Sequence, residues 1–363
     1  MFYVIKSNYM NLSCGIVGLP NVGKSTLFNA LLARQIANVS NYPFCTIEPN
    51  IGVVAVPDYR LAKLAGVVKT EKIVPAIVKF VDIAGLVKDA NRGEGLGNKF
   101  LSHIREVNAV IHVLRAFNND NIVRSGSVDP RSDLKTIETE LCLADLQTME
   151  KQQGPKGNVG KKELVRWEGI KKLRAGLEQG ISARDISLAE DEVAETADLA
   201  LLTSKKVLVV LNISESDVPR IDTLIQEYKD LDPIPICAKV EAELAELGED
   251  SKREYLASLG LTKSGLESLI LKAFDTLGLM TFLTAGEKEV RAWTIKKATK
   301  APRAAAEIHT DFEKGFVRAQ VTDYQTFIDL NGWKGVKEAG KARFEGKDYV
   351  MQEGDVVEFL ISG

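Results

Sequence analysis

Nine residues near the N-terminus, Gly18-Leu-Pro-Asn-Val-Gly-Lys-Ser-Thr26, restrict what this chain can fold into more than any other stretch. Gly18 and Gly23 bracket four residues, and Lys24 and Ser25 follow. That is the full pattern G-x-x-x-x-G-K-S/T of a backbone loop that cups two adjacent phosphates. Its flanks suit it: Cys14 to Gly18 read as a short apolar strand, and Lys24 to Ala33 as a helix with Leu27, Phe28, Leu31 and Leu32 as its apolar positions. A strand, a glycine-bearing turn and a helix N-terminus, in that order, aim successive N–H groups and the positive end of a helix dipole at one spot. In this arrangement Lys24 reaches the β- and γ-phosphates and the Ser25 hydroxyl ligates Mg²⁺. The plainer alternative, a glycine turn that binds nothing, leaves this complete pattern in its required context without a reason.

The rest of the chain bounds the setting. Its 363 residues are enough for two or three domains. With 45% hydrophobic and 27% charged residues it has the composition of an ordinary soluble protein, and a net charge of −3 argues against binding nucleic acid by bulk positive charge. The cysteines at 14, 45, 142 and 237 form no C-x-x-C pair. That spacing fits a reduced cytoplasmic protein without disulfides or a zinc site. No apolar run approaches the roughly eighteen residues that a membrane span needs. The nine residues ahead of Met10 read as a non-essential extension or a misassigned start.

Along the chain, Asn38 to Asn50 is a proline-bearing loop, and Ile51 to Val56 and Ala76 to Asp82 are neighbouring strands separated by a short segment. A short helix follows near Asn98 to Glu106, then a buried strand at Ala109 to Leu114. Leu134, Ile137, Leu141 and Ala144 make one apolar helical stripe, broken at Gly154-Pro155 and resumed by Leu164, Trp167, Ile170, Leu173 and Leu177. Strands return at Lys206 to Asn212 and Pro233 to Cys237, so residues 130–204 read as a helical insert within a domain made of 10–129 and 205–279. Ser264 and Glu267 form a capping box ahead of one more helix. From about Met280 the chain turns β-rich, with strands expected at Val290 to Ile295, Gly315 to Val321, Asp348 to Met351 and Asp355 to Leu360. Residues 280–363 therefore read as a small α+β domain.

The partners of the phosphate loop decide its chemistry. Asp82-x-x-Gly85 closes a strand with a carboxylate suited to hold Mg²⁺ through water and a Gly85 N–H for the γ-phosphate. Thr46 offers a second hydroxyl to the metal. Together these residues mark a nucleotide switch rather than a small-molecule kinase. Guanine-reading pockets carry Asn-Lys-x-Asp after a late strand; here that position holds Asn212-Ile-Ser-Glu215. Adenine has no hydrogen at N1 and no 2-amino group, so a guanine-reading carboxylate finds nothing to accept. Asn212 suits the N6/N7 edge of adenine, and the Ile213 backbone can approach the same ring. ATP is therefore favoured over GTP, the alternative being a degenerate guanine motif with little selectivity. Leu86 stands where a water-orienting glutamine would follow the Asp-x-x-Gly motif, so unaided hydrolysis is expected to be slow. Asn21 is a candidate ligand for K⁺, and otherwise an asparagine that simply suits the turn.

Gly18 to Thr26, Asn41-Tyr-Pro-Phe-Cys-Thr-Ile-Glu-Pro49, Asp82 to Leu86, Gly93-Glu-Gly-Leu-Gly-Asn98, Asn212 to Glu215, Phe282 to Thr294 and His309 to Phe316 together resemble the Obg-like ATPase family of YchF type. The resemblance covers the chain from about Met10 to Gly363. It implies a Ras-like α/β nucleotide domain with a helical, coiled-coil-like insert, followed by a ubiquitin-like α+β TGS domain. It further implies ATP hydrolysis exceeding GTP hydrolysis, Mg²⁺ dependence, and association with ribosomes, as the large subunit or the whole particle, in translation or stress control. Carried over by position, Asn21, Val22, Gly23, Lys24, Ser25 and Thr26 bind phosphates, Ser25 and Thr46 face Mg²⁺, and Asn212 and Ile213, with Glu215 beside them, contact the base. Lys24, Asp82 and Gly85 serve hydrolysis. Bacterial relatives often place a histidine in the loop after Asn-Asp-Asn-Ile. Here Asn119-Asp-Asn-Ile122 leads to Arg124, which either stabilises transition-state charge or is catalytically silent.

Three readings follow: an ATP-hydrolysing switch, a ribosome- or RNA-binding module that keeps ATP as a structural ligand, and a GTPase of the Obg type. Lys296, Lys297, Lys300 and Arg303 are candidates for rRNA contact, or else a solvated face, and the helical arm is a second candidate surface. The chain is expected to be a monomer without membrane contact.

Overall fold

The computed structural model describes residues 12–36, 50–83, 98–117, 129–157 and 159–362. Thr46, Gly85, Leu86, Arg124, the glycine run 93–97 and the N-terminal extension lie outside them. In chain order the first part comprises β1 (Ser13–Val17), α1 (Lys24–Ile36), β2 (Ile51–Ala55), α2 (Tyr59–Val68), β3 (Ile73–Val74), β4 (Ile77–Asp82), α3 (Asn98–Glu106) and β5 (Ala109–Arg115). Next come α4 (Pro130–Glu150), α5 (Lys161–Glu178), α6 (Glu190–Thr196), β6 (Lys206–Asn212), α7 (Ile221–Glu227), β7 (Pro233–Ile236), α8 (Ala238–Glu246), α9 (Glu249–Ser258) and α10 (Gly265–Thr276). The C-terminal part holds β8 (Leu279–Ala285), β9 (Val290–Lys296), α11 (Ala301–Ile308), α12 (Thr310–Lys314), β10 (Phe316–Asp323), α13 (Tyr324–Asp329), α14 (Trp333–Glu338), β11 (Arg343–Glu345) and β12 (Asp355–Ile361).

The described residues divide into two compact units, one within 13–30 and 80–265, the other within 31–79 and 266–363. The first is built on parallel strands. Among its strands the order is β1-β5-β6-β7: β1 pairs with β5 from Cys14↔Ala109 to Val17↔His112, and β5 with β6 from Ala109↔Lys206 to Arg115↔Asn212. Every residue of β1 and β5 is buried, as expected of parallel strands covered on both faces. Helix α4 starts behind Asp129, whose side chain accepts from the Arg131 N–H, with Pro130 in the first turn. Its predicted stripe does what the spacing requires: Ile137, Leu141 and Ala144 pack with Val17, Ile83 and Val110. Cys142 and Met149 meet Ile170, Leu173 and Leu177 of α5 in a separate cluster. One helix thereby joins the sheet to the insert.

A buried polar contact reinforces that joint. Glu138 of α4 accepts from the Ser182 hydroxyl at 2.6 Å, lies 2.9 Å from the Arg184 guanidinium and 3.2 Å from His112 Nε2 of β5. Burial pushes this carboxyl up, but His112, Arg184 and Ser182 outweigh it and hold it down at about 2. A depressed carboxyl contributes stability that is complete above its ordinary value of 4.5 and disappears as pH falls from there towards about 2. Urea midpoints measured across that window should fall less steeply for Glu138→Gln than for the wild type. Parallel slopes would contradict this account.

In the second unit the sheet order is β11-β10-β12-β8-β9-β3. β8 and β9 form a hairpin from Leu279↔Lys296 to Ala285↔Val290, and β12 lies parallel to β8 at Val356↔Leu283 and antiparallel to β10. Ala301, Ala304 and Ala305, all fully buried, let α11 lie close on Met280, Phe282, Ile295 and Val357. Three details differ from the sequence reading. The short segment between β2 and β4 contains α2, capped by Asp58 and closed at a left-handed Lys69, and the two-residue β3. Residues 348–351 are not a strand; Val350 makes one isolated bridge to Lys300. β8 itself extends the β-rich region by a strand that the glycine-marked pattern had not separated.

Candidate functional site

The loop between β1 and α1 is shaped by close approach. A Cβ on Gly18 would lie 2.5 Å from the Val113 carbonyl oxygen of β5, so only glycine lets the loop leave the sheet there. Asn21 and Gly23 both adopt left-handed backbone, with φ of 62° and 94°. The turn they produce ends where Leu27 N–H donates to Gly23 O and α1 begins. Val22 is buried, whereas Asn21, Ser25 and Thr26 face solvent. Lys24 Nζ donates to the Gly18 and Leu19 carbonyls at 2.7 and 3.0 Å, which leaves its third N–H for a ligand.

Asp82, at the end of β4, sits next to this loop electrostatically. Burial pushes its carboxyl up and the Lys24 ammonium pulls it down; Lys24 in turn is lowered by burial and raised by Asp82. Asp82 Oδ1 is buried without a hydrogen-bond partner among the described residues. An orphaned carboxylate oxygen near a lysine and an exposed Ser25 hydroxyl fits a hydrated divalent cation, because Mg²⁺ takes few protein ligands and keeps waters and phosphate oxygens for the rest. The sequence-predicted Lys24, Ser25 and Asp82 thus gather at one end of the sheet.

At the end of β6, Asn212 has a heavier task than the sequence suggested. Its Nδ2 donates to the Val22 carbonyl at 2.8 Å, and its Oδ1 accepts from the Ala238 N–H at 3.2 Å. The amide therefore ties the phosphate loop to β6 and to the first turn of α8, and retains one N–H and one lone pair for a base. Ile213 N–H donates to Ile236 O, and its side chain is buried in the core, so what Ile213 can still turn to a ring is its other backbone group. Glu215 pairs with Lys239 at 2.8 Å. Ala238 and Lys239 escaped the sequence reading. The signal available was their place just after a strand end, the position from which loops reach a ligand in open α/β sheets.

The family model YchF-GTPase_C, described as a protein of unknown function, matches residues 279–362, and the model MMR_HSR1, described as 50S ribosome-binding GTPase, matches residues 13–147. The chain is 49% identical over 363 residues to the Ribosome-binding ATPase YchF of Bacillus subtilis, covering 96% of this chain and 99% of that protein. The chain belongs to the YchF family. A second YchF relative, from Escherichia coli O157:H7, is 47% identical and covers 97% of this chain and 100% of its own. The solved YchF GTPase of Schizosaccharomyces pombe superposes with a TM-score of 0.85 at 39% identity, over 96% of this chain and 98% of that one. As a YchF member the chain has the expected fold class: a P-loop nucleotide-binding domain with a helical insert, followed by the family's C-terminal α+β domain.

Proposed function

We propose that this protein is an ATP-binding and ATP-hydrolysing switch that associates with ribosomes, with ATP preferred over GTP. The observation that carries the reading is the corner formed by Asn212, Ala238 and Val22, which joins the phosphate loop to a base site whose carboxylate, Glu215, is already paired. Relatives close to half identical over nearly the whole chain bear the name ribosome-binding ATPase, which supports both halves of the proposal. The nucleotide domain is proposed to comprise residues 10–129 and 205–279, the insert 130–204, and the C-terminal domain 280–363.

In this mechanism the backbone N–H groups of Asn21 to Thr26 and the Lys24 ammonium hold phosphate oxygens and withdraw charge from them. Ser25 and Asp82, with Thr46, would hold Mg²⁺, which supplies neutralisation of phosphate charge when bound. Asn21, exposed in a left-handed turn, is the proposed K⁺ contact. Gly85 and Arg124 keep their proposed places at the γ-phosphate and at the developing charge. Turnover is slow without a partner because Leu86 cannot orient water. The protein would work in the cytoplasm as a monomer; no described helix is long and apolar enough to cross a membrane. A second reading, GTP hydrolysis, is favoured by the descriptions of the matching N-terminal model and of the fission-yeast structure.

Single-turnover hydrolysis of ATP and GTP, with and without ribosomes and in K⁺ or Na⁺ buffer, separates these readings. The proposal expects faster ATP than GTP cleavage, stimulation by ribosomes, and a higher rate in K⁺. Faster GTP cleavage would install the second reading in its place, and no cleavage of either would leave ATP a structural ligand.

A further inference from the structure

Glu215 occupies the place from which a guanine-reading pocket would present its carboxylate, but the fold gives it another partner. Its Oε2 accepts from Nζ of Lys239, the second residue of α8, at 2.8 Å. The same ammonium lies 3.8 Å from Glu243 one turn further along α8, and the Tyr255 hydroxyl of α9 donates to Glu243 at 2.7 Å. Tyr255, Glu243, Lys239 and Glu215 thus form a chain of polar contacts from α9 across α8 to the end of β6. Lys239 follows directly on Ala238, whose N–H holds the Asn212 amide, so the ion pair and the proposed base contact share one corner.

The chemistry of the two purines makes this arrangement selective. Guanine offers N–H donors at N1 and at its 2-amino group, which a free carboxylate accepts. Adenine offers a lone pair at N1, which a free carboxylate repels and an ammonium N–H accommodates. We propose that Lys239 is a purine-specificity residue: by engaging Glu215 it withholds the carboxylate from guanine and removes its repulsion of adenine. Its ammonium is raised above the ordinary lysine value, first by the hydrogen bond to Glu215, and so stays charged at neutral pH. This assignment rests on the ATP reading of the same site. It also explains how a pocket retaining an acidic residue after β6 can turn to the other purine.

The pair is exposed, with Lys239 68% and Glu215 46% accessible, so removing it costs little stability and the readout is ligand selectivity. Affinities for the magnesium forms of ATP, GTP and inosine triphosphate, which keeps the N1 hydrogen and lacks the 2-amino group, would be measured by calorimetry. The proteins compared are the full-length wild type, Lys239→Gln, Glu215→Gln and the double variant. Lys239→Gln should shift the GTP-to-ATP affinity ratio about tenfold towards GTP, the scale of one charge-assisted hydrogen bond. Inosine triphosphate should gain less, and Glu215→Gln in the same chain should cancel the gain. An unchanged ratio in Lys239→Gln, or a gain that survives in the double variant, overturns the assignment. The wild-type titration reports separately on the underlying reading: GTP held tighter than ATP there defeats the proposed function itself.

Discussion

Replacing Gly23 with alanine is expected to weaken ATP binding by about a hundredfold or more, the equivalent of roughly 3 kcal/mol. Two costs combine. The backbone stands at φ 94°, where an L side chain is strained, and the new Cβ would lie 2.1 Å from Asn212 Nδ2. That amide cannot step aside freely, because doing so abandons the Val22 carbonyl and the Ala238 N–H together. Gly157, at φ 78° with open space within 4 Å of where a Cβ would stand, supplies the control. Its alanine variant should lose only about 1–2 kcal/mol of stability and leave ATP affinity intact. Calorimetric titration of both variants checks this, and a Gly23→Ala affinity within threefold of the wild type would refute the steric argument.

The second large effect is expected from Asn212→Asp, a change of one amide nitrogen to oxygen. The buried side chain keeps its bond from the Ala238 N–H but now presents an acceptor to the Val22 carbonyl, two lone pairs where a hydrogen bond stood. A buried carbonyl left unpaired, with a charge brought alongside, costs on the order of 3 kcal/mol in stability and takes nucleotide binding with it. If Asn212 served the base alone, Asn212→Asp would alter purine preference while the protein without nucleotide kept its urea midpoint. Equilibrium unfolding in the absence of nucleotide therefore tells the two roles apart.

Much of the molecule is legible from local pattern. The apolar stretches read at 14–18 and 109–114 underlie the buried parallel strands β1 and β5, and the stripe 134–144 became the face of α4 on the sheet. The phosphate loop was legible because its glycines answer to backbone geometry a few residues away. The elements that escaped are short and charged: α2 interleaves Arg60 and Lys63 with its apolar Leu61 and Leu64, and α9 has a single weak apolar side. Their helices depend on packing supplied by distant chain, which no window of ten residues contains. Residues 348–351 show the converse. A strand-like local pattern found no continuous partner, and only the Lys300 bridge formed.

Taken alone, the sequence determined that a phosphate-cupping loop would join a buried strand to a helix, that helices would interrupt the nucleotide domain, and that an α+β domain would follow. These rest on periodicity and on glycine stereochemistry, which act over a few residues. Tertiary structure alone decided which groups meet at the proposed base corner. Asn212 and Val22 are separated by 190 positions, and Glu215 and Lys239 by 24, so their pairing depends on parallel strands bringing two loop ends together. Hydrogen bonds and ion pairs of that kind are set by distance in space, to which a linear pattern carries no reference.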